Sequence, residues 1–124
     1  VGFSRVAASR GAFGGCRQSA HARALRFRRE MPESAGESLD RDFATYLCRR
    51  IRADALRQME KDRQMGRMII LLSASTDNYM TYTADQLGVD ALLCTPFAAL
   101  PEVNCRGEEK ARRLLANINA NRQR

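Results

Sequence analysis

Tryptophan is absent from this 124-residue sequence, aromatic residues make up only 6% of it, and His21 is its single histidine. So few aromatic platforms, with no known nucleic-acid motif beside them, argue against nucleic acid as the partner. Cys16, Cys48, Cys94 and Cys105 form no Cys-x-x-Cys pair. Neither a zinc site nor a disulfide framework is therefore expected, and reduced thiols suit a cytoplasmic protein. No apolar run approaches the roughly 20 residues that span a bilayer. No acid occurs before Glu30, in a stretch rich in Arg, Ala, Ser and Gly. That composition is shared by organellar transit peptides, disordered tails and out-of-frame translation at the edge of a fragment. His21 stands alone there and is expected to be exposed rather than catalytic.

What is present is basic and modestly apolar. Hydrophobic residues make up 44%, enough for one small domain. The net charge is +7, and all of the excess lies before Met68. A basic half can serve a polyanion or an anionic surface.

Val1 to Gly15 has no clean hydrophobic period and is expected to be poorly ordered. A basic helix is expected over Ala20 to Arg29, broken by Pro32 to Gly36. Beyond Ser38, the residues Phe43, Leu47, Ile51, Ala55 and Met59 recur at four-residue steps. They predict the buried stripe of one long helix, ended by Gly66. Met68 to Leu72 is too short for a helix and reads as a buried parallel strand. Thr76 or Ser75 is placed to cap a helix from Asp77 to Leu87, with Met80, Ala84 and Leu87 inward and Gly88 closing it. Ala91 to Thr95 is a second parallel strand, and Ala111, Leu114, Leu115 and Ile118 give the final helix its apolar face. Asn104 is expected to cap that helix.

One position in this plan carries chemistry. A strand that ends in Ser73-Ala74-Ser75-Thr76 delivers hydroxyls to a helix N-terminus, where unpaired N–H groups and the helix dipole favour an anion. Lys110, in the first turn of the final helix, could converge on the same anion. Taken singly, Ser73 also reads as a capping hydroxyl and Lys110 as a solvated lysine. Cys105 reads as a reactive thiol beside that site or as a small packing residue.

The ordered set of Ser73-Ala74-Ser75, Leu87-Gly88-Val89-Asp90, Asn104-Cys105-Arg106-Gly107 and Lys110 resembles the haloacid dehalogenase-like phosphohydrolase superfamily, in its phosphoserine phosphatase-like branch. The resemblance covers about half of the chain. It implies that Ser73 and the N–H groups of Ala74 and Ser75 hold the substrate phosphate. Lys110 would steady its charge, and Asn104 and Gly107 would support the lysine turn. It further implies a magnesium-dependent phosphatase working through an aspartyl-phosphate on small phosphomonoesters.

The family's first motif, an apolar strand ending in Asp-x-Asp-x-Thr or Val, has no counterpart here. Asp40-Arg41-Asp42 is the only Asp-x-Asp. No strand precedes it and the following Thr45 is one residue out of register, so Asp40 and Asp42 are rejected as catalytic groups and read as a solvated helix start. The magnesium-binding Gly-Asp-Ser-x-x-Asp type motif is also missing, so no metal ligand is assigned.

These readings predict an α/β protein: a partial Rossmann-like parallel sheet with flanking helices, preceded by a helical cap-like segment. Residues 1–35 form a basic, poorly ordered or cap-remnant segment, and 36–66 a cap-to-core helix. Residues 67–120 form a partial core and 121–124 a tail. A full family architecture takes about 200 residues or more, and position 1 is Val rather than Met. The expectation is an inactive fragment or degenerate paralogue of a phosphatase. The alternatives are a non-catalytic module for phosphate-bearing ligands or a protein partner, and a basic polyanion binder.

Overall fold

A computed structural model of the chain describes residues 7–8, 15–99 and 105–123, with side chains described over 22–98 and 105–123. Its elements are β1 (Ala7–Ala8), α1 (Gly15–Glu30), α2 (Glu33–Arg49), α3 (Ala53–Gln64), β2 (Ile70–Thr76), α4 (Asp77–Leu87), β3 (Ala91–Thr95) and α5 (Glu108–Arg122), with a 3-10 turn at Phe97–Ala99. The strands form a parallel sheet in the order β1-β2-β3. Helices α4 and α5 pack on β2 and β3, and α2 packs on α4. This is the expected α/β arrangement, a partial Rossmann-like sheet with flanking helices. Among the described residues no helix is long and apolar enough to cross a membrane.

The β2–α4–β3 unit follows from its sequence. Ile69, Ile70 and Leu72 are buried, as are Met80 and Ala84 on the inner face of α4. Gly88 adopts φ 65° at the end of α4, a left-handed conformation that costs glycine little. Its turn is pinned from outside by Arg63, which donates to the Leu87 and Gly88 carbonyls. Asp90 then closes the strand entry, because its carboxylate accepts the Ile69 N–H at 2.7 Å. The phrase Leu87-Gly88-Val89-Asp90 is thus a turn locked at both ends.

Four expectations are corrected. Ala7–Ala8 lie inside the segment expected to be poorly ordered, yet they pair in parallel with Leu71 and Leu72; the rest of residues 1–14 lies outside the described residues. The break at Pro32 to Gly36 is narrower than expected, since Pro32 is the N-cap of α2 and Gly36 is helical.

The long helix expected from Phe43 to Met59 is two helices, α2 and α3, with Arg50 to Arg52 between them. No proline or glycine stands at that break. Arg52 instead pairs with Asp54 in the first turn of α3, where an acid is favoured. The buried face of α2 is Gly36, Asp40 and Ala44, while Phe43 is exposed. A carboxylate shares the buried face of α2, while Leu47 and Ile51 of the expected stripe are half-buried.

Finally, β2 runs from Ile70 to Thr76 rather than Met68 to Leu72, with a register irregularity between Leu72 and Thr76. Its polar end stays in the sheet because its groups find partners there. Thr95 Oγ1 donates to the Ala74 carbonyl at 2.8 Å, and the Ser75 N–H donates to Ser73 Oγ at 3.1 Å.

Candidate functional site

Parallel strands present their carboxyl ends on one edge, and in open α/β sheets that edge binds ligands. Here the edge is formed by Ser73 to Thr76 at the end of β2, by Thr95 at the end of β3, and by the N-terminus of α4. Ser73 is only 2% exposed. Its oxygen accepts the Ser75 N–H, so that expected phosphate donor is engaged, while the Ser73 hydroxyl keeps its own proton to donate. Thr76 is the N-cap residue of α4, but no side chain caps the helix. The capping role expected of Thr76 or Ser75 is therefore corrected. Thr76 keeps extended backbone, and its buried hydroxyl has no hydrogen-bond partner among the described residues.

The first turn of α4 is occupied by its own carboxylate, since Asp77 Oδ1 accepts the Phe97 N–H at 2.9 Å. That bond fixes the 3-10 turn after β3 beside the helix. Asn104 lies outside the described residues. Gly107, with φ 52°, is the N-cap residue of α5, and Lys110 follows in the first turn. Lys110 is half-buried and makes no ion pair with any described residue.

Thr95 ties the lysine turn to the sheet. Fully buried, it accepts the Cys105 N–H at 2.9 Å while donating to the Ala74 carbonyl. Arg113 donates to the Cys94 carbonyl and to Glu109. Hydrogen bonds from Arg112 and Arg113 hold the Glu109 carboxyl down at about 2. Burial, then the charges of Asp77 and Cys105, pushes the Cys94 thiol up to about 12, far from thiolate at neutral pH. Cys105 is fully buried, which matches its packing reading.

Beside the start of α4 the structure forms a polar cavity of about 310 Å³ lined by Arg28, Glu33, Glu37, Asp40, Asn78, Tyr82 and Phe97. Its floor is a network that sequence reasoning missed. Arg28 of α1 donates through Nε and Nη2 to both Asp40 carboxylate oxygens, at 2.8–3.1 Å. Asn78 of α4 donates to Asp40 Oδ1 at 2.9 Å. The Arg28 and Asp40 side chains are only 12% and 7% exposed. The pairing raises the Arg28 pKa further above its ordinary value, through the Asp40 hydrogen bond first.

Gly36 makes room for this pair. A Cβ there would stand 2.3 Å from the Arg28 guanidinium carbon. The reading of Asp40 as a solvated helix start is corrected, because Asp40 is buried; Asp42 is the exposed one. The available signal was the spacing of Gly36, Asp40 and Ala44, one small-sided face around a single carboxylate.

Among the described residues no three His, Cys, Asp or Glu side chains stand together as a metal-holding cluster. The magnesium implied by the resemblance therefore has no fitting donor set there.

The parallel β–α–β unit with its flanking helices defines a partial Rossmann-like α/β domain. The model of the haloacid dehalogenase-like hydrolases matches residues 3–124, and the chain belongs to that family. No match was found among curated proteins or among solved structures.

Proposed function

We propose that this chain is a phosphatase-like haloacid dehalogenase family member of the phosphoserine phosphatase type that does not itself turn over phosphomonoesters. The observation that supports this is the engagement of its carboxylates. Phosphoryl transfer through an aspartyl-phosphate needs a free carboxylate in line with the phosphorus at the carboxyl edge of the sheet. After β1 the sequence holds no acid before Glu30. Asp40 is bound by Arg28 and Asn78, and Asp77 accepts from Phe97. Asp42 is on the exposed face of α2. Magnesium, where the family uses it, neutralises phosphoryl charge. Incubated with phosphoserine and magnesium, the chain is expected to release no inorganic phosphate above the buffer blank. Sustained release would overturn the proposal.

A second reading, phosphate holding without turnover, is favoured by Lys110, whose ammonium has no ion pair with a described residue. In it Ser73, Ala74 and Ser75 contact the phosphate with Lys110, and Asn104 and Gly107 support the lysine. Because the Ser75 N–H must first leave the Ser73 oxygen to reach the phosphate, the affinity is expected to be weak, with Kd on the order of 1 mM. Titration with inorganic phosphate, followed by amide NMR, should shift the Ala74 and Ser75 signals. Lys110→Ala should weaken binding roughly tenfold, a loss of about 1.4 kcal/mol. Silent amides would leave Ser73 as a strand-end hydroxyl only. A steep salt slope would point instead to polyanion binding by the basic half.

A further inference from the structure

Helix α2 is inside out. It buries Gly36, Asp40 and Ala44 against α4 and leaves Leu39, Phe43 and Tyr46 at 45%, 39% and 47% exposure. These three, with Arg50, fall at steps of four, three and four, the a/d seam of a heptad over three helical turns. The seam is stiffened beforehand. Phe43 stacks on Tyr46 with ring centroids 5.9 Å apart, and the Tyr79 ring meets Phe43 edge-on at 4.8 Å. The Arg50 guanidinium lies 4.3 Å above the Tyr46 ring. An apolar stripe of this kind, rimmed by charge, marks an interaction surface.

The charges beside the seam select the occupant. Asp42 and Arg49 are seven residues apart, so both take the g position on the same flank. Both are exposed, and neither pairs with a described residue. When two helices pair antiparallel, g positions face g positions, so Asp42 of one copy meets Arg49 of the other, twice across the two-fold axis. The same arrangement sets Phe43 against Tyr46 of the second copy and Leu39 against the aliphatic stem of its Arg50. A parallel pair would set Asp42 opposite Leu47 and lose the match. We infer that the outer face of α2 is a self-association surface, on which a second copy of this chain docks antiparallel through Leu39, Phe43 and Tyr46, with register fixed by Asp42 and Arg49. Closed two-fold pairing of identical patches is the commonest form of oligomer.

Three helical turns make a small interface, below the roughly 1,200 Å² of stable complexes, so the dimer is a weak one. Sedimentation equilibrium of the full chain should show the weight-average mass rising from 13.9 kDa toward twice that between roughly 10 µM and 1 mM. Asp42→Arg and Arg49→Asp should each weaken association about tenfold, by setting like charges face to face. The double reversal should restore it to within about threefold. Tyr46→Glu should abolish it with the helical circular dichroism unchanged. A mass that stays at one copy across this range, or a double reversal that does not rescue, overturns the inference. So does a Tyr46→Glu chain whose monomer loses stability, since the stripe would then be covered from within the same chain.

Discussion

Replacing Arg28 by methionine is expected to lower the unfolding free energy by about 3–5 kcal/mol, the typical loss when one partner of a buried ion pair is removed. The Asp40 carboxylate would be left between α2 and α4 with Asn78 as its one remaining donor among the described residues. Removing both charges is a different experiment. Arg28→Met with Asp40→Leu should recover most of the loss, because apolar groups of similar volume often replace such a pair at little net cost. Urea denaturation of the two single variants and the double variant closes the cycle. If Arg28→Met unfolds within about 1 kcal/mol of the wild type, the pair is no more than a surface bridge, and the engagement of Asp40 loses its meaning.

Thr95→Val should cost about 2–4 kcal/mol although the two side chains have nearly the same shape. The Thr95 hydroxyl satisfies the Ala74 carbonyl and the Cys105 N–H together, and neither gains a replacement in valine. Each buried group left unpaired costs about 1–3 kcal/mol. The variant should also loosen the start of α5, because Cys105 is the point where the lysine turn is tied to β3. Amide hydrogen exchange of residues 105–110 reports that directly, and it should quicken more than exchange in β2. Equal effects on both segments would make Thr95 an ordinary core residue.

Both variants touch parts of the molecule that differ in how well the sequence discloses them. Helix α4 and strand β3 were legible to the residue, since Gly88 ends one and a short apolar run makes the other. The far end of β2 was not. Ser73 to Thr76 look like a loop, and what keeps them in the strand, the Thr95 bond to Ala74 and the pairing of Thr76 with Thr95, comes from a distant strand. Strand β1 is two alanines with no alternation to betray them. The inversion of α2 was hidden for a related reason. Asp40 is drawn inward by Arg28 from the preceding helix and by Asn78, a residue 38 positions away. No local window holds that information. Ser73 and Lys110 are singled out by motif alone, whereas the burial of Ser73 depends on contacts that a motif does not state.

In the function proposed above, Asp40 is structural and no carboxylate of the described residues acts as a nucleophile. The most direct measurement compares hydrolysis of a generic aryl phosphate, with magnesium, by the wild type and by Asp40→Asn. Asparagine keeps the shape of aspartate but cannot form an aspartyl-phosphate. Both proteins should match the buffer blank, while Asp40→Asn should have lowered stability from the loss of its charge opposite Arg28. A magnesium-dependent turnover in the wild type that disappears in Asp40→Asn would contradict that proposal.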